Sequence, residues 1–223
     1  MAAVQNKLKQ QTTSSTTNVN TLTSIVGTGN TIIVCLITLG STTAPTSITD
    51  DKGNTYTARQ SAVSSSDGNT GTGANRAWIY DSIGVTNGPQ TITATWAAAT
   101  TSLLMAWEES GITAYDTSSN NPLVGGTAIS TSLTLTQTND RVFGNFNNRA
   151  PGAPALTLTA PLTQDTIDNL WSNCNYFASG TYTGSGSQSF AGSWATDPLA
   201  STAVAAAYKT GAAGGGSTIL IFN

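Results

Sequence analysis

Gln90-Thr91-Ile92-Thr93-Ala94-Thr95-Trp96 alternates without a break: Ile92, Ala94 and Trp96 share one face, and Thr91, Thr93 and Thr95 share the other. Alternation with a period of two is the mark of a strand whose one side is buried and whose other side meets water. The β-branched threonines suit that pleated surface. Ser132–Thr138 (SLTLTQT) repeats the pattern, with Leu133 and Leu135 opposed to Thr134 and Thr136. Working outward, the same signals predict strands near 21–26, 30–39, 46–49, 54–62, 75–83, 89–96, 101–109, 128–137, 140–147, 155–160, 174–183, 187–193, 202–209 and 217–222. Runs 30–39 and 101–107 are apolar on both faces, as central strands of a sandwich would be. The one helical candidate is TQDTIDNLWSN (163–173), with Thr163 or Asp165 as cap and Asp165 and Asp168 near its positive end. No repeat of 20–50 residues is visible. Many short strands punctuated by turns predict an all-β fold, an antiparallel β-sandwich of jelly-roll type. Residues 1–20 are read as an extended N-terminal arm and 21–223 as a single domain.

Composition narrows the function. Of 223 residues only 9% are charged, the net charge is −3, and there is no histidine. The eight basic residues are scattered, so no stripe exists to neutralise phosphates, and nucleic acid is not an expected partner. Without histidine the commonest general base and the commonest metal ligand are both missing. Cys35 and Cys174 fit either two buried free thiols or one disulfide. The start MAAVQNKLKQQTTSSTT has no apolar stretch behind its lysines, and Thr31–Leu39 is shorter than the roughly 20 residues a membrane helix needs. The expectation is a soluble protein made in a cytoplasm, with no membrane partner. The polar arm cannot bury enough surface to fold alone. It is expected to lie along a neighbouring subunit, with Lys7, Lys9 and Gln10 as assembly contacts.

The chemistry-bearing residues are few. Thr49–Thr57 (TDDKGNTYT) joins two β-prone pieces and reads as a hairpin bend, Asp50 or Asp51 accepting backbone hydrogens and Gly53 free to take positive φ. The spacing does not match a calcium loop. SSSDGNTGTGAN (64–75) is a longer loop bending at Asp67-Gly68. Glu108-Glu109 would point to opposite faces of a strand. Glycoside hydrolysis needs carboxyl groups about 5–9.5 Å apart on facing walls, so a second acid such as Asp81 or Asp116 would have to join one of them. The simpler expectation leaves one glutamate in solvent and the other hydrogen-bonded. Asn120-Asn121 and Asn147-Asn148 are expected at loop tips. GTGAN, GSGS and GAAGGGS open no helix after a strand, so phosphate-loop readings are rejected. Trp78, Trp96 and Trp107 are expected in the core. Trp194 with Tyr182 is the candidate for a ligand surface or a subunit interface. No catalytic, cofactor-binding or metal-ligating residue is assigned.

The succession GNTIIVCLITL, SITDDKGNTYT, RAWIYDSIG, NGPQTITATW and SLLMAWEESG resembles jelly-roll β-sandwich domains of tailed-phage virion proteins, with similar domains in bacterial surface proteins. The likeness covers residues 20–112, with a weaker echo in SWATDPLASTAVAAAYK (193–209). It implies a building block such as a capsid decoration or cement protein, or a neck or tail component, located in the virion and not an enzyme. The implied partners are other copies of the chain, a trimer first, and a major capsid or tail protein. It carries over no functional residue. The alternative is a carbohydrate-binding module or adhesin, for which a glycan would be the partner.

Overall fold

The computed structural model describes residues 5–63, 74–124, 126–148, 155–168, 174–197 and 200–211; the side chains of 10–13, 123, 124, 168 and 174 are not described. The fold is an all-β antiparallel sandwich, with no helix among the described residues. Strands β1 (Gln5–Thr21), β2 (Thr31–Leu39), β3 (Ser47–Asp50), β4 (Thr57–Val63), β5 (Arg76–Ser82) and β6 (Thr91–Glu109) form one sheet in the order β1-β6-β2-β5-β4, with β3 also paired to β6. The rest of the chain gives β7 (Ile112–Val124), β8 (Ala128–Leu135), β9 (Asp140–Asn148), β10 (Leu156–Leu158), β11 (Thr163–Asp168), β12 (Cys174–Tyr182), β13 (Gly186–Trp194) and β14 (Ala200–Thr210). They form a five-stranded sheet β11-β12-β9-β14-β7 and a three-stranded sheet β10-β13-β8.

These orders contain the same plan twice. β2 lies between β5 and β6, β5 makes a hairpin with β4, and β6 pairs onward with β1. Likewise β9 lies between β12 and β14, β12 makes a hairpin with β11, and β14 pairs onward with β7. β3 pairs with the first part of β6 as β10 pairs with β13. The long strands β1 and β6 therefore each match two strands of the second half: β1 matches β7 and β8, and β6 matches β13 and β14. The repeat is about 100 residues, well beyond the 20–50-residue period of common repeat arrays. Its clearest trace is QTITATW against Gln188–Trp194 (QSFAGSW), where Ile92 and Trp96 match Phe190 and Trp194. The two halves touch where they end, Gly211 N–H donating to Gly111 C=O at 3.0 Å.

Three apolar clusters separate four layers. The middle one lies between the two large sheets and holds Ile33, Cys35, Ile37, Met105 and Trp107 from the first half and Phe143, Phe177, Val204 and Tyr208 from the second. The opposite face of the first sheet is covered by the early part of β6, with Trp78, Trp96, Ile92 and Leu104 packed there. The opposite face of the second sheet is covered by β8, β10 and β13, through Leu133, Leu156, Phe190 and Trp194 against Val142, Phe146 and Tyr176. β2 is buried along its whole length, and β8 alternates residue by residue, as their sequences predict. Cys35 is a free, buried thiol, so the disulfide alternative does not hold.

Several expectations need correction. The N-terminal arm is not a separate appendage: residues 5–21 are the edge strand of the first sheet, with Lys7 opposite Ala106, Lys9 opposite Leu104 and Gln10 opposite Leu103. The polar composition misled because amide side chains do the anchoring. Asn18 donates to the Ser102 carbonyl and hydroxyl, and Asn20 to the carbonyls of Lys7 and Leu104. The helical candidate is strand β11 as far as Asp168, pairing with β12; residues 169–173, with Trp171, lie outside the described residues. Asn120, Asn121, Asn147 and Asn148 lie within strands rather than at loop tips. The 64–73 part of the Asp67-Gly68 loop, the GAAGGGS stretch beyond Gly211 and the strand expected at 217–222 also lie outside the described residues.

Gly144 sits where β9 passes between the middle and outer layers. A Cβ there would lie 2.2 Å from the Val204 carbonyl oxygen and 2.7 Å from Phe190 Cζ. Gly144→Ala is expected to destabilise the fold by about 2 kcal/mol or more, because neither neighbour can retreat without disturbing a ladder or a ring stack. Urea denaturation followed by tryptophan fluorescence measures it; an unchanged midpoint would contradict the layering.

Candidate functional site

Thr49–Thr57 bends but does not close a hairpin, because β3 pairs with β6 and β4 with β5; its carboxylates are consumed by the bend. Asp50 Oδ1 accepts from Lys52 N and Asn54 N, and its Oδ2 accepts from Asn54 Nδ2 and Tyr56 OH. Asp51 Oδ1 accepts from Gln90 N and Thr91 N, and these bonds hold its pKa below the usual carboxylate range although burial opposes them. Gly53 has φ of 78°, the left-handed conformation expected for a bulge glycine.

Glu108 and Glu109 point to opposite faces, but neither is in solvent. Glu108 is 1% exposed and accepts from Gly27 N and Asn30 Nδ2 on one oxygen and from Gln5 Nε2 on the other. It fastens the start of β1 and the 27–30 turn to the end of β6. Glu109 faces the second half and meets the Arg141 guanidinium at 3.2 Å, both groups being buried. Burial raises its pKa, and Arg141 partly offsets the rise.

The seam between the halves carries the densest set of ionisable side chains, and two β-bulges place them. In β4 the register slips between Ala58 and Gln60, which turns Arg59 inward. Its guanidinium makes a forked pair with Asp81, 2.6 and 2.9 Å, and lies 4.4 Å from the centre of the Tyr115 ring. Tyr115 packs edge-on against Tyr208. In β11, the counterpart of β4, the slip falls between Gln164 and Thr166 and turns Asp165 inward. Asp165 accepts from Trp107 Nε1 at 2.9 Å across the seam and from Ser179 Oγ at 3.1 Å within its own sheet. Burial raises the Asp165 pKa against these two donors. Each half thus sends one bulged polar residue against an aromatic of the other: Arg59 onto Tyr115, and Asp165 onto Trp107.

Glu109 and Asp165 are therefore the acids that converge from facing sheets, a pairing the sequence did not suggest. They do not flank an open site. Glu109 is fully buried and locked to Arg141, which also donates to Thr181 Oγ1. Asp81 and Asp116, the other acids considered as partners of the glutamates, are tied to Arg59 and to Thr136 instead. Chemically the cluster is a set of cross-links between layers. The visible signal was the apolar–polar mixture TQDTID, which reads as a strand once Asp165 is allowed to bulge.

Trp194 and Tyr182 do not form a ligand surface. Trp194 is 2% exposed and packs edge-on against Tyr176, and Tyr182 is 3% exposed with its hydroxyl donating to Ser189 C=O. The alternation of QSFAGSW turns Phe190 and Trp194 inward together. Of the arm residues, Lys7 and Lys9 are exposed on β1, and the Gln10 side chain lies outside the described set.

Removing one partner of a buried pair strands the other charge, which typically costs about 3–5 kcal/mol. Arg141→Met is expected to cost that much, and Arg141→Met with Glu109→Leu to recover most of it. A double-mutant cycle in urea measures the coupling; additive losses would show that the pair does not join the halves. Comparisons with protein-family models, with curated proteins and with solved structures find no match to this chain.

Proposed function

We propose that this chain is a non-enzymatic structural protein of a tailed-phage virion, a decoration or cement protein or a head or tail accessory component, acting by adhesion between subunits. The observation that carries this reading is the fate of the acids. Asp50, Asp51, Asp81, Glu108, Glu109, Asp116 and Asp165 each hold a turn, a strand end or the seam. Side chains arranged this way supply rigidity rather than a reaction centre.

The outer layers supply contact surface. On the first, Thr17, Thr95 and Ser47 stand opposite one another across β1, β6 and β3, as do Val19, Thr93 and Thr49 in the next row. On the second, Ser132 pairs with Ser189, and its hydroxyl meets that of Ser187 at 2.9 Å. Rows of this kind can be buried against a neighbour without stripping water from a charge. Among the described residues the edges of β1, β4, β7 and β11 are unpaired and offer backbone groups to another chain. Because β1 is used within its own sheet, adhesion runs through these faces and edges and not through a free arm. The partners are other copies of the chain, a trimer first, and a major capsid or tail protein.

Thr93→Lys places a charge at the centre of the first hydroxyl face without touching the core. It is expected to leave circular dichroism and the melting temperature unchanged and to lower occupancy on purified particles about tenfold or more, equivalent to about 1.4 kcal/mol. Gradient sedimentation of particles followed by gel densitometry measures it. Wild-type chain that never sediments with particles would overturn the virion assignment, and full occupancy of the variant would overturn the role of this face.

A further inference from the structure

A second acidic arrangement lies outside the seam, on three neighbouring strands of the second half. The register places Tyr208 beside Arg141 on β9 and beside Tyr115 on β7, and a bulge there leaves Asp116 without a ladder partner. Asp140, Lys209 and Asp116 consequently line up across β9, β14 and β7. Lys209 Nζ is 3.4 Å from Asp116 Oδ1. Asp116 also accepts from Thr136 N at 2.8 Å and Thr136 Oγ1 at 2.5 Å, which pins the turn between β8 and β9. That turn passes through Asn139 at φ 65° and is held to the end of β14 by Gln137 Nε2 on Thr210 C=O and Thr210 Oγ1 on Asn139 C=O.

The charges do not balance. Two carboxyl groups, 1% and 0% exposed, share one ammonium group. As a carboxylate, buried Asp140 has only the Gln137 amide, which also donates to Thr210 C=O, and the Lys209 charge to offset its burial. As an acid it can donate to the neighbouring Asp116 carboxyl. Among the described residues, the other elements packed here bring no second cation. From β12 comes Tyr182, whose hydroxyl is spent on Ser189 C=O; β8 and β13 carry no ionisable side chain; Arg141 points to the opposite face and pairs with Glu109.

We propose that Asp116 and Asp140 hold one proton between them, and that losing it as the solution turns from acid to alkaline loosens the β8–β9 turn, a pH-sensitive latch on the second half. The direction follows from the groups. Burial, then the hydrogen bond to Asp116 and its charge, push Asp140 up to about 7, while the donors around Asp116 hold that carboxyl low. The two titrate as a unit. An acid whose folded value lies above its unfolded value, near 3.9, binds more protons folded than unfolded across that window. Its contribution to stability is therefore complete at low pH, falls as pH rises from about 4 to about 7, and is level above that.

The test compares the full-length wild type with Asp140→Asn, which keeps the shape and cannot ionise. Urea unfolding at pH 4.5, 6, 7 and 8.5 should show the variant gaining on the wild type by about a hundredfold or more in unfolding constant, at tenfold for each pKa unit. Native-state hydrogen exchange of Thr136 and its neighbours in the wild type, corrected for intrinsic rates, needs no variant and should lose protection over the same range. A wild-type–variant difference independent of pH, or turn protection unchanged from pH 5 to 8.5, would overturn the proposal.

Discussion

A sheet that is buried on both faces has to be covered twice. β2 and β9 are buried at every position, so neither large sheet could be satisfied by a single partner layer. The four-layer arrangement meets this demand with the two large sheets covering one another and each half supplying its own outer cover. In the first half that cover is made by continuing β6 and β1 past a bend; in the second the matching strands are broken in two. The seam between the halves follows from the same constraint, since it is the only face each large sheet has left to bury.

How the seam is finished depends on its ends. Aromatics fill its middle: Trp107 lies against Phe143 and Phe177, and Phe143 against Tyr208. Charges and amides close it where the layers begin to part. The two bulged residues sit at matching places in the repeat yet have opposite charge, Arg59 in one half and Asp165 in the other. The repeated plan shares its geometry but not its chemistry: Asp81 answers Arg59 with a forked ion pair, while Asp165 is answered by a serine hydroxyl and an indole N–H.

Much of the fold could be read from alternation. QTITATW, SLTLTQT and TIIVCLITL each declared their burial through spacing alone, because packing decides those strands. Reading failed where a strand is held by something other than apolar burial. β1 has Leu8 and Val19 as its few apolar members and depends on Asn18 and Asn20 reaching backbone carbonyls, an arrangement composition does not reveal. β11 reads as a helix because a bulge breaks its alternation at Asp165. Trp194 reads as a surface aromatic because its neighbours, serine and alanine, resemble a loop; the alternation with Phe190 and the match to Trp96 show which way it points. The cross-seam pairs were illegible for a simpler reason: Asp165 and Trp107 are 58 positions apart, and nothing local ties them.

The place of β1 has a consequence for synthesis. Its first residue meets a strand end 103 positions later in the chain, Gln5 to Glu108. At roughly 5–20 residues per second, a ribosome makes that partner about 5–20 s after β1 emerges. Through that interval the nascent segment has open backbone groups and no mate. An apolar edge strand would aggregate while it waited; one built from glutamine, serine, threonine and asparagine stays hydrated until β6 arrives.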